Sequence, residues 1–204
     1  MEMEEGIKFN CRWIKAGMNE DTEELNTWRD RLHDLKLIGA YQNGIGYGNV
    51  SMRIGESDAF LITGAGTGGM DSLTKDSYTL VTSCNIEENS MECKGPIKAS
   101  SESLSHAMLY SLDGEIKSVL HVHSIEMWKN LFGKVSTTKK GIEYGTPELA
   151  MDIKRLFTDG QLRNEKILVM GGHMAGIIAF GSSIGEAGET LLDYFRKSEE
   201  NKSL

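Results

Sequence analysis

The chain has 204 residues, a formal net charge of −8, 39% apolar and 25% charged residues. That length suffices for one full-size core, and the composition is ordinary for a soluble globular protein. The acidic balance, with a pI of about 5.2, argues against non-specific binding to nucleic acid or to an anionic membrane.

The three cysteines, Cys11, Cys84 and Cys93, form no CxxC pair. They support neither a disulfide framework nor a Cys-rich zinc module, and read as reduced intracellular thiols. The acidic start MEMEEGIKFN lacks the apolar stretch of a signal peptide. No apolar run approaches the roughly 18 residues of a membrane span. The expected address is therefore the cytoplasm, with no membrane and no nucleic acid as partner. Nothing divides the chain, so residues 1–204 read as one domain.

Residues 1–20 show no period and read as an N-terminal arm. Asp21 or Thr22 then offers a helix N-cap, Leu25, Trp28, Leu32 and Leu35 follow at helical spacing, and Gly44 can close the helix. His33 lies off that stripe and reads as a surface histidine. Tyr47 to Ile54 reads as a strand, residues 55–58 as a turn, and Ala59 to Thr63 as the returning strand of an antiparallel hairpin. The following Gly64-Ala65-Gly66-Thr67-Gly68-Gly69 formally matches GxGxxG. A dinucleotide fingerprint needs a helix to open there, and Met70 to Ser77 is polar without an apolar stripe. A glycine loop turned toward a phosphate or carboxylate fits better, with a plain surface turn as the alternative.

Tyr78 to Ser83 reads as a strand, and residues 85–95 as a polar hairpin-like excursion ending at Gly95-Pro96. Ser100 or Ser101 caps a helix carrying Leu104, Met108 and Leu112, with Glu102 in its first turn. A carboxylate there can simply stabilise the helix dipole. His106, four residues on, reads as packed or hydrogen-bonded as readily as functional. Then comes Leu120-His121-Val122-His123-Ser124. Side chains alternate along a strand, so both imidazoles point to one face. Two rings on one side of a strand suit a divalent metal; the alternative is an edge strand with two surface histidines. Residues 125–132 read as a short helix and residues 133–145 as a loop. Thr146-Pro147-Glu148 combines a cap, a first-position proline and a first-turn acid, a helix start. Residues 166–170 and 175–180 read as buried strands around Gly171-Gly172-His173-Met174. Ser182 caps the last helix, and Ser198 to Leu204 reads as a frayed tail.

His121, His123 and His173 are thus the candidate metal ligands. Three imidazoles leave a tetrahedral ion one open position, the arrangement of a catalytic site. Zn²⁺ suits them, and Mn²⁺, Co²⁺ or Fe²⁺ are alternatives. Glu102 is the candidate acid/base.

Five short segments occur in order: Gly48-Asn49-Val50-Ser51, Ile62-Thr63-Gly64, Ser100-Ser101-Glu102, His121-Val122-His123-Ser124 and Gly172-His173. In them the chain resembles the class II aldolase/adducin family, over roughly Leu25 to Phe195. The resemblance implies an α/β fold, a three-layer α/β/α sandwich around a mainly antiparallel central sheet. It implies that His121, His123 and His173 bind zinc and that Glu102 is the acid/base at the metal. By the same resemblance Asn49, Thr63, Gly64, Ser100 and Ser101 grip a substrate phosphate, and the assembly is a homotetramer with the site at a subunit interface. Fuculose-phosphate aldolase-like members carry a tyrosine proton donor before a Gly-Thr-x-Glu-Leu motif. Tyr144 is the nearby candidate here, although that position falls closer to Gly141. Where the family usually has Pro-Ser-Gly, this chain has Gly64-Ala65-Gly66. The implied reaction is retro-aldol cleavage of a ketose 1-phosphate through a metal-stabilised enediolate. A pentulose-phosphate 4-epimerase, a methylthioribulose-phosphate-type dehydratase and a non-catalytic adducin-like interaction domain are the alternatives.

Overall fold

The computed structural model describes residues 7–200. Among them, eight strands form one sheet and six helices cover it. The strands are β1 (Asn10–Lys15), β4 (Asn49–Arg53), β5 (Phe60–Thr63), β6 (Tyr78–Asn85), β7 (Ser90–Gly95), β8 (Ser118–His123), β9 (Ile167–Val169) and β10 (Gly176–Gly181). A separate small hairpin pairs β2 (Gly39–Ala40) with β3 (Gly46–Tyr47). The sheet order is β1-β7-β6-β5-β4-β8-β10-β9. Every pairing is antiparallel except β1 with β7.

The helices are α1 (Glu23–Asp34), α2 (Ser103–Leu112), α3 (Ile125–Leu131), α4 (Pro147–Thr158), α5 (Gln161–Glu165) and α6 (Ile184–Glu200). They divide between the two faces of the sheet, and strand alternation shows how. Ile178 and Phe180 of β10 join a core with Leu104 and Met108 of α2 and Ile153 of α4. Ile177 and Ala179 join a second core with Leu25 of α1, Met127 of α3 and Leu191 of α6. Both faces of the central strands are therefore apolar, and the sheet sits between two helical layers. This is the expected α/β/α sandwich. It also decides where the histidines point: Val119 lies in the α2/α4 core and Leu120 and Val122 in the other. His121 and His123 therefore face the α2/α4 layer.

The antiparallel hairpin around residues 55–58 forms as expected, with Ser51 opposite Ile62 and Arg53 opposite Phe60. The helix at Thr146-Pro147 also starts as expected, with the Thr146 hydroxyl accepting the Leu149 N–H at 3.3 Å. Four expectations are corrected. The arm contains a strand, β1, that pairs with β7, the returning strand of the expected hairpin-like excursion; residues 1–6 lie outside the described residues. The first helix stops at Asp34, and Gly44, at φ +84°, instead turns the β2–β3 hairpin. The last helix runs to Glu200 with Ser198 buried, and residues 201–204 lie outside the described residues. Its first-turn cap is Ser183, whose hydroxyl accepts the Glu186 N–H at 3.1 Å, while Ser182 bonds the Glu186 carboxylate. His33 is half-buried on α1.

Candidate metal centre

β8 is a central strand, not an edge. His121 stands opposite Asn49 on one side and Ile178 on the other, and His123 stands opposite Gly176. Both rings are buried, at 1% and 8% exposure, so the surface reading fails. The β9–β10 turn supplies the third ring. His173 N–H bonds Met170 O at 3.1 Å and Gly176 N–H bonds His173 O at 2.9 Å. A side chain at Gly176 would stand 2.6 Å from His173 Cδ2. The glycine opposite His123 thus makes room for the His173 ring to fold over the strand.

The three rings meet through their Nε2 atoms. His123 Nε2 lies 3.1 Å from His121 Nε2 and 2.9 Å from His173 Nε2. Two nitrogens on a tetrahedral Zn²⁺ stand about 3.3 Å apart, so the spacing suits one ion. The proton count favours a cation as well. His121 Nδ1 must donate to Ile177 O, 3.2 Å away, which leaves a lone pair on its Nε2. His123 Nδ1 meets the Tyr41 hydroxyl at 2.5 Å. One N–H on His123 cannot satisfy two converging acceptors, whereas a cation satisfies all three. Burial holds the imidazoles neutral: His121 lies well below the ordinary value, His123 is pulled down to about 3 and His173 to about 4. Among the described residues no other three His, Cys, Asp or Glu side chains converge in this way.

The rings line a cleft of about 430 Å³, shared with Glu102, Tyr144 and the glycine loop. Glu102 is not in the first turn of α2; it is the N-cap residue, and its side chain caps nothing. Its carboxyl is 3% exposed. One oxygen accepts only the Ser105 hydroxyl, at 3.3 Å, and the other has no partner. Burial raises its pKa to about 7, with Ser105 and the Lys8 charge pulling the other way. An acid serving only the helix dipole would be exposed and ionised; this one is sheltered and protonatable.

The family model of the class II aldolase and adducin N-terminal domain matches residues 39–194. The chain belongs to this family. No curated protein matches the sequence. Among solved structures the chain is similar to an L-fuculose 1-phosphate aldolase, with TM-score 0.67, 19% identity, and 90% of this chain and 85% of that one covered. It is similar to a sugar-phosphate aldolase from Thermotoga maritima, with TM-score 0.66, 18% identity and coverage of 86% and 90%. It is also similar to YgbL from Klebsiella pneumoniae, a candidate aldolase/epimerase/decarboxylase, with TM-score 0.69, 17% identity and coverage of 89% and 88%. At such identities the likeness shows the shared fold.

The remaining residues singled out by this class II aldolase/adducin sequence fall unevenly. Asn49, Ser100 and Ser101 line the cleft, and Asn49 Nδ2 donates to Ser100 Oγ at 3.0 Å. Gly64 lines it too, yet its N–H is engaged by Ser77 O at 2.8 Å. The Thr63 hydroxyl is not brought to the cleft: it accepts the Val50 N–H at 3.2 Å and is 2% exposed. The Tyr144 ring lies 4.6 Å from that of His173. The glycine loop opens no helix; the next regular element is a three-residue 3₁₀ turn at Lys75–Ser77, which removes the dinucleotide fingerprint.

Three contributors escape the sequence reading. Tyr41 bonds His123, and Tyr47 stacks on it at 5.1 Å and 17°. Both flank Asn43-Gly44, a hairpin signal that stood in plain view. Arg29, 1% exposed on α1, donates to the Thr67, Gly68, Met70 and Asp71 carbonyls and so fixes the glycine loop. Its place at helical spacing beside Trp28 disguised it as a solvated residue.

Proposed function

We propose that the chain is a zinc-dependent lyase that cleaves a ketose 1-phosphate by retro-aldol chemistry. The observation that carries this reading is the meeting of three neutral imidazoles and one buried, protonatable carboxyl in a single cleft. His121, His123 and His173 would hold the ion. A divalent cation there supplies Lewis-acid stabilisation of the negative charge developing on substrate oxygens. Glu102, with its pKa near neutrality, exists in both protonation states under working conditions, the requirement for moving a proton either way. In cleavage it hands its proton to the carbon that has lost its partner. Tyr144, over His173, is the candidate to exchange the proton of the hydroxyl that becomes the carbonyl of the released aldehyde. Asn49, Ser100, Ser101 and the glycine loop grip the phosphate, with Thr63 and Gly64 as supports from behind. Copies assemble as a homotetramer; exposed Ile45, Met70 and Met174 on the loops around the cleft supply apolar surface for it.

Metal analysis followed by an aldehyde-release assay on ketose 1-phosphates tests this. The purified protein should carry a divalent metal and release aldehyde. Glu102→Gln should keep the metal and lose about 10²–10⁴-fold in turnover. Metal-loaded protein that releases no aldehyde overturns the aldolase reading, and an epimerised or dehydrated product would assign it to one of those reactions. Failure to hold metal under zinc supplementation would favour an interaction domain.

A further inference from the structure

We propose that Lys8 is the cation that receives the phosphate of the substrate at the mouth of the cleft, and that Glu143 occupies it until the phosphate arrives. The proposal rests on the sugar-phosphate reading above and adds to it a residue outside the matched family domain, which begins at residue 39.

Among the described residues lining the cleft there is no lysine or arginine. A phosphate monoester dianion entering a protein of net charge −8 needs positive charge beyond backbone amides. Arg29 is spent on the carbonyls of the glycine loop, whereas Lys8 stands over a ring of the lining. Its Nζ lies 3.9 Å from the centre of the Tyr144 ring, on which it makes a cation–π contact. That ring in turn lies 4.6 Å from His173, and Ile7, the preceding residue, itself lines the cleft. The charge of Lys8 reaches Glu102, where it opposes the effect of burial.

The lysine is held in place by backbone. Asn89 Nδ2 donates to Lys8 O at 2.8 Å, and Asn10 N–H bonds Asn89 O at 2.9 Å, just where β1 begins its pairing with β7. Opposite, Gly145 has φ +68° and no room for a side chain, since a Cβ would stand 2.7 Å from Ser101 O and 4.0 Å from Lys8 Cβ. The stem of Lys8 therefore lies against the segment that carries Glu143 and Tyr144 and abuts Ser101.

The present partner of Lys8 is replaceable. Lys8 Nζ bonds Glu143 Oε2 at 2.9 Å, but the glutamate side chain is 72% exposed while the lysine is 30% exposed. An ion pair with one end in water is held weakly. A phosphate dianion offers more charge and more acceptor oxygens than the carboxylate it displaces.

The test is calorimetric titration of the metal-loaded protein with inorganic phosphate at low ionic strength. Lys8→Met should weaken phosphate binding about tenfold, the loss of one charge-assisted hydrogen bond. Glu143→Gln, which removes the competitor, should tighten it about threefold. The double variant should match Lys8→Met, and Lys8→Arg should stay within about twofold of wild type. Wild-type protein that binds no phosphate overturns the proposal. So does a Lys8→Met affinity equal to wild type, or a Glu143→Gln gain that survives in the double variant. Because binding is read without turnover, a failed aldehyde assay leaves this measurement standing. Unchanged phosphate affinity, in turn, leaves the lyase reading standing.

Discussion

Two buried histidines, one on a strand and one on a helix, show what distinguishes a candidate ligand from a strut. His121 on β8 and His106 on α2 are both sealed from solvent, and burial lowers the pKa of both. Each has its Nδ1 engaged, His121 by Ile177 O at 3.2 Å and His106 by Ser51 Oγ at 2.7 Å. The difference lies at Nε2. That of His121 meets His123 Nε2, which in turn meets His173 Nε2, whereas that of His106 has no partner, and its neighbourhood is hydroxyls: Ser51 Oγ also bonds Tyr110 OH at 2.7 Å. Depth and neutrality are common to both sites. Convergence of lone pairs belongs to one alone, and it is convergence that calls for a cation.

The largest effect should come from removing a ring at each place. His123→Ala should abolish metal retention and with it activity, by about 10³-fold or more, as read by metal analysis and turnover. His106→Asn should keep the metal and instead lose about 1–3 kcal/mol of stability in chemical denaturation, because the Ser51 hydroxyl loses its imidazole partner. Metal loss in the His106 variant would erase the distinction.

An intermediate effect should come from Tyr41→Phe. It deletes the hydroxyl that orients His123 and leaves the ligand untouched. Supporting partners of this kind are worth about 10–100-fold in metal affinity, measurable by competition with a chelator.

The smallest effect is in the pH dependence of the metal-free protein. The unfolded histidines take up protons below about 6.5, while the folded ones stay neutral down to about 4 at His173 and about 3 at His123 and His106. Between those limits the unfolded chain binds more protons, so stability is full above 6.5 and is lost as pH falls. Glu102 acts the other way. Its folded pKa of about 7 lies above the ordinary 4.5, so its contribution is full below 4.5 and is lost as pH rises toward 7. Denaturation of His106→Asn between pH 6.5 and 4.5 should show a slope shallower than wild type by up to about 1.4 kcal/mol per pH unit. An unchanged slope would mean that His106 is protonated in the fold.

Much of this was legible in the sequence because it depended on period and spacing. The alternation in β8, the hairpin closed at residues 55–58 and the start of α4 are local patterns, and each appears where its residues put it. The order of five short motifs carried the fold and the candidate ligand triad beyond what any one segment could. What escaped depended on partners far along the chain. β1 has no strong pattern of its own and is a strand only because β7 offers an edge. Arg29 looks like any helix-surface arginine until the loop 67–71 closes over it. Glu102 sits one residue outside α2 rather than inside it, and that single step turns a helix-stabilising acid into a sheltered one.

Gly171 and Gly172 carry the centre's least adjustable contact. A Cβ on either would stand 2.0 Å from a carbonyl oxygen, of Thr138 and of Ile142 respectively. The obstacle is main chain, so no rotamer relieves it. The turn bearing the third imidazole is thereby interlocked with the segment leading to Glu143 and Tyr144. Grafting a foreign substrate loop onto this scaffold would have to transplant that turn along with it, or the ligand geometry would go with the old loop.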